Sequence, residues 1–184
     1  GVRPGSHFEH PSSLQHSNVD VFNLDVRVPS QVEQAYKIVS NVVDHLDILV
    51  NNAGLARGKE HVSDALLSDW DDMLSVNCSG AFKMARAVLP AMRQQGGGLI
   101  IYLSSGCVQR PDVSGVSYQA TKHGMSGLAH GTFEEEREKG IRTTVGSKVL
   151  KDHVPDEDAE VVTGGQRDRG TAGVLSLGGA GDER

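Results

Sequence analysis

LDILVNNAG, residues 46–54, decides the fold. Its first five residues are a short, continuous apolar run. That is the composition of a strand covered on both faces, as in a parallel sheet. NNAG follows at once as a turn signal at the strand's carboxyl end. Upstream, VDVFNLDV (19–26) alternates apolar and polar residues and reads as a strand. Pro29 and Ser30 then open a helix in which Val32, Ala35, Tyr36, Val39, Val42, Val43 and Leu46 recur at helical spacing. Downstream, 67–95 reads as one long helix with a stripe of Leu67, Trp70, Leu74, Phe82, Ala85, Val88, Leu89 and Met92. GGGLIIYLSS (96–105) is glycine punctuation followed by a buried strand. Helix is expected over 117–139 with Gly140 as its stop, and IRTTV (141–145) as the next strand. Strands alternating with helices in this order make an α/β domain with a parallel sheet.

The chain has 184 residues, enough for one domain with a core. Residues 1–17 read as irregular, 18–150 as the α/β domain, and the acidic, glycine-rich 151–184 as a disordered tail. A net charge of −6 with no basic cluster argues against a nucleic-acid partner. No apolar run is long enough to cross a bilayer, and no secretory signal is visible, which points to the cytoplasm. Cys78 and Cys107 fit no zinc or CxxC spacing and read as reduced thiols. His7, His10 and His16 lack a fourth ligand and a rigid frame, so no metal site is expected.

Ligands of an open parallel sheet bind at the carboxyl ends of its strands. Asn51, Asn52 and Gly54 fall at one such end, and Ser104 and Ser105 at another. Tyr118 and Lys122 open the helix that follows, one turn apart and therefore on one face. Asn77 sits inside the long helix, where asparagine is a weak helix former. A phenol has a pKa near ~10, and a neighbouring ammonium favours its ionised form. Such a tyrosine can exchange a proton with a substrate oxygen that a serine hydroxyl holds. The set suits interconversion of a carbonyl and an alcohol on a small molecule. Hydride must then come from a cofactor, because no side chain carries one.

NNAG at 51–54, Asn77 in VNCSG, Ser105 in LSSG and the Tyr118–Lys122 pair resemble the short-chain dehydrogenase/reductase family. Ser105 precedes Tyr118 by thirteen residues and Asn77 precedes it by forty-one. The resemblance spans roughly 19–146 and implies a Rossmann-like, doubly wound parallel sheet and an NAD or NADP cofactor. It implies Tyr118 as general acid/base and Lys122 as the residue that lowers its pKa and binds the nicotinamide ribose. Ser105 would polarise the substrate oxygen, and Asn77 would hold a water in a proton relay. Asn52, Ala53 and Gly54 would line the cofactor cleft, and Asp25 would contact the adenine. Pairing of two copies through the helices at 67–95 and 117–139 is also implied.

Two features depart from the family pattern. The Gly-rich turn expected upstream of NNAG is absent, and so are the first strands of the sheet. In the order 3-2-1-4-5-6 those strands lie between 19–26 and 46–50. Their loss leaves strand edges unpaired or forces 19–26 directly against 46–50. After IRTTV no Pro-Gly turn appears, and GVLSL (173–177) is too short and isolated to read as a closing strand. The sheet is therefore expected to be incomplete. The alternative to an oxidoreductase is a truncated, inactive remnant serving as a protein-interaction module.

Overall fold

The computed structural model describes residues 22–108, 115–148 and 174–176. Its elements are α1 (Pro29–Ser40), β1 (Ile48–Asn51), α2 (Leu67–Leu74), a π-helical segment (Ser75–Gly80), α3 (Ala81–Gln95), β2 (Gly98–Ser105), α4 (Val116–Glu136), β3 (Ile141–Lys148) and β4 (Val174–Ser176). The four strands form one parallel sheet in the order β3-β2-β1-β4. The crossovers β1–α3–β2 and β2–α4–β3 step in the same direction. Right-handed connections therefore place α3 and α4 on one face. Burial follows that rule. Leu49, Asn51, Ile100, Tyr102 and Ser104 lie buried beneath the helices, while the alternate positions Ile48, Val50, Leu99, Ile101 and Leu103 are only partly buried. The apolar run of β1 thus has one fully covered face, not two. The helices that would cover the second face of a doubly wound sheet belong to strands on the far side of β1.

The slot beside β1 is filled in an unexpected way. Val174–Ser176 pairs with Ile48–Val50 in parallel register. Of the stretch 19–26 expected as a strand, the described residues do not pair there: 22–25 are irregular and Val26 begins a turn into α1. Leu24 and Val26 instead join the core beside α3, where Val26 lies against Gly80. A short stretch of the segment expected to be a tail thus satisfies the open backbone edge of β1, where unpaired amides would be costly. Residues 1–21, including the three N-terminal histidines, and the rest of 149–184 lie outside the described residues.

The π segment explains a second difference. It inserts an extra residue into the helical repeat, so the buried face shifts phase across it. After the shift the buried stripe is Ala81, Met84, Ala85, Val88 and Met92. Ala85, Val88 and Met92 are buried as one continuous period over 67–95 expects, but Phe82 is 55% exposed, and Leu67, before the π segment, is 78% exposed. The first helix also ends early, at Ser40, which leaves Val42 exposed. Gly140, by contrast, stands where the sequence requires it, in the left-handed region with φ 77°. There its missing Cβ lets Gly96 approach.

Candidate active site

The site lies at the carboxyl ends of β1 and β2, where the π segment and the first turns of α4 converge. Asn77 sits in the π segment with no exposed surface. Its Oδ1 accepts from the Leu55 amide at 2.7 Å, and its Nδ2 donates to the Leu55 carbonyl at 2.9 Å. The second Nδ2 proton goes to Thr121 Oγ1 at 2.8 Å. An asparagine amide offers four hydrogen bonds, and three are made to protein. One lone pair of Oδ1 is what remains for a water.

Lys122 is only 5% exposed. Its ammonium donates to the Leu103 carbonyl at 2.8 Å and lies 5.6 Å from the centre of the Tyr118 ring. The pair is thus on one face, as the i,i+4 spacing requires. Burial raises the Tyr118 phenol above its ordinary value, a hydrogen bond with Ser105 draws it back, and Cys107 adds to the rise. The balance is upward, with burial its largest cause. The Lys122 charge is felt at Cys78, where it opposes the upward push of burial on the thiol.

The two serines part company through strand alternation. Ser104 is buried and donates to the Lys122 carbonyl at 3.0 Å. Ser105, on the other side of β2, meets the Tyr118 hydroxyl. In the NNAG turn, the Asn52 amide bonds Val50 and Ala53 packs on the core. Gly54 faces the ammonium: a Cβ there would come to 3.4 Å from Lys122 Nζ and 3.7 Å from Asn77 Oδ1. Asp25 is placed differently from the others. Its carboxylate takes both the Arg27 amide at 2.9 Å and the Arg27 guanidinium at 2.7–3.1 Å, fixing the turn before α1.

Asn77, Ser105, Tyr118, Lys122 and Gly54 are therefore brought together. Sequence reading passed over Thr121, whose position three residues after Tyr118 puts it on the same helical face. Asn51, placed by its sequence position at the end of β1, is buried with neither amide atom hydrogen-bonded.

Residues 7–147 match the family model for short chain dehydrogenase. The chain belongs to the short-chain dehydrogenase family. Among relatives, the NADP-dependent 3-hydroxy acid dehydrogenase YdfG of Escherichia coli is 39% identical over 105 residues, 57% of this chain and 42% of that protein. The D-beta-hydroxybutyrate dehydrogenase of Rhizobium meliloti is 32% identical over 143 residues, 77% of this chain and 50% of that protein. Two solved structures superpose with a TM-score of 0.69 each. ElxO with NADP bound is 26% identical over 71% of this chain and 53% of its own. Serine dehydrogenase from Escherichia coli is 32% identical over 73% and 62%. The chain spans about half the length of the relatives it matches.

Proposed function

We propose that the protein is an NAD(P)-dependent oxidoreductase acting between a carbonyl and an alcohol on a small organic molecule. The single observation that carries this reading is the junction of Tyr118, Ser105 and Lys122 at the ends of β1 and β2. The nicotinamide nucleotide supplies the hydride when bound. Gly54 keeps the space beside the Lys122 ammonium open, where a Cβ would already stand in van der Waals contact with Nζ, and that space fits such a ligand. Lys122, Tyr118 and the Asn52–Gly54 turn would hold it. With its pKa raised, the Tyr118 phenol keeps its proton at neutral pH. That makes it an acid toward a carbonyl oxygen, with Ser105 orienting that oxygen. Asn77 braces the turn against α4. Asp25, braced by Arg27, would contact the adenine.

The names of the relatives favour NADP and a 3-hydroxy acid as the first pair to try. Self-association through α2, α3 and α4 is supported by Leu67, Leu74, Phe82 and Phe133, exposed apolar residues on those helices. A titration of the 184-residue chain with NADPH and NADH, read by nucleotide fluorescence, tests the central reading. Saturation in the micromolar range, with carbonyl reduction lost in Tyr118→Phe, is the expected result. A folded chain that binds neither nucleotide at millimolar concentration overturns it and leaves the interaction-module alternative.

A further inference from the structure

We infer that Thr121 is the positioning residue that fixes Asn77, and through it the NNAG turn, against the helix carrying Tyr118 and Lys122. Its hydroxyl is 1% exposed and works in both directions. It accepts from Asn77 Nδ2 at 2.8 Å and donates to the Tyr118 carbonyl at 2.8 Å. The second bond matters for the first. A threonine on a helix divides between two χ1 rotamers, and the bond to the carbonyl three residues back selects one. That choice leaves the oxygen's lone pairs aimed at Asn77. The Asn77 amide is then bound on both sides, by Leu55 N–H and C=O on the loop side and by Thr121 on the helix side. Reversing the amide would set its NH2 against the Leu55 amide, donor against donor, so the orientation is unique.

Three chain segments distant in sequence meet at the Asn77 amide: the turn after β1 through Leu55, the π segment that carries Asn77, and α4 through the Thr121 hydroxyl. The neighbouring contacts repeat the connection. Cys78 Sγ donates to the Thr121 carbonyl, and the Gly54 position stands within van der Waals reach of both Asn77 Oδ1 and Lys122 Nζ. Thr121 acts through Asn77. At this position a hydroxyl has no apolar substitute. Valine has the shape but strands an Asn77 N–H in a buried site, and alanine strands it beside a void. Serine keeps the donor and acceptor with a looser rotamer.

The functional half of this inference rests on the proposed oxidoreductase reading; the structural half does not. The test therefore begins on the chain without nucleotide. Hydrogen exchange of the Leu55 amide, which donates to Asn77, is compared in wild type, Thr121→Val, Thr121→Ala and Thr121→Ser. Valine and alanine should speed Leu55 exchange about tenfold or more, the scale of one buried hydrogen bond left unmade. The amides of β2 and β3 should be unchanged, and serine should restore most of the protection. Nucleotide affinity and turnover are then measured. Valine should weaken nucleotide binding and lower kcat together by a similar factor, and serine should recover both. Unchanged Leu55 exchange in valine and alanine overturns the inference. So does exchange that rises equally throughout the sheet, which marks general destabilisation. If valine does not fold, the alanine–serine difference at Leu55 decides. Absence of nucleotide binding in wild type itself overturns the oxidoreductase reading and leaves the Leu55 result to stand by itself.

Discussion

Tyr118 shows how a residue's surroundings, and not its spacing, set its chemistry. The YxxxK interval places phenol and ammonium on one face, the ammonium bonds the Leu103 carbonyl, and burial is the largest influence on the phenol. The high-pH titration seen by difference absorbance should therefore contain a component above the ordinary tyrosine value of about 10 that disappears in Tyr118→Phe. Ser105→Ala should move that component higher, because the serine's hydrogen bond pulls it down. The linked stability has a definite sign. The folded phenol holds its proton more tightly than the unfolded one, so stability is whole below about pH 10 and declines as pH rises past it. Tyr118→Phe should lessen that alkaline decline while lowering turnover roughly 10²- to 10⁴-fold. The residue types and intervals of the site were legible in the chain. What Lys122 faces, and that Asn77 spends most of its amide on the Leu55 backbone, were not, because both depend on backbone groups that no side-chain pattern encodes.

At the scale of elements, the strands and helices from 29 to 145 were legible from apolar period and glycine punctuation. The stripe of the long helix was read correctly at Ala85, Val88 and Met92, which are buried, and wrongly at Leu67, Leu74 and Phe82, which are exposed. One inserted residue at Ser75–Gly80 sets the two halves out of phase with each other, and a fixed 3.6-residue period cannot register that. The same stretch nonetheless announced itself through Asn77, Ser75, Ser79 and Gly80, weak helix formers in the middle of a helix. Helix ends give sharper predictions. Gly140→Ala should cost at least about 1–2 kcal/mol in denaturant unfolding, since its backbone is left-handed and Gly96 crowds the missing Cβ. Glu136, buried at the end of α4, is held below its ordinary range chiefly by its hydrogen bond from Arg93, with Lys139 adding to it. The sign here is opposite to that of Tyr118. Its stabilising contribution is full above about pH 4.5 and is lost as pH falls through the folded value. Thermal unfolding of Glu136→Gln should therefore show a smaller drop between neutral and acid pH than wild type, with a lower melting temperature at pH 7.

For the whole molecule, the parallel sheet and its site-bearing edge were legible, but its outer neighbour was not. A three-residue strand such as β4 carries no periodic signal. It is placed by the need to satisfy the edge of β1, a requirement that exists only once the sheet is assembled. Association is the other property of this scale. If the exposed apolar residues of α2, α3 and α4 pair two copies, Phe82→Asp should shift sedimentation toward the single chain while leaving nucleotide affinity unchanged.

The single helical layer among the described residues has a thermodynamic consequence. Heat-capacity change on unfolding tracks the apolar surface newly wetted, and a sheet with only one face fully covered has less left to wet. Calorimetry should give a value below the usual ~12–15 cal/mol/K per residue. The curve of stability against temperature is then shallow and broad. Such a chain melts gradually, resists cold better than its melting temperature implies, and responds weakly to urea because the m-value follows the same area.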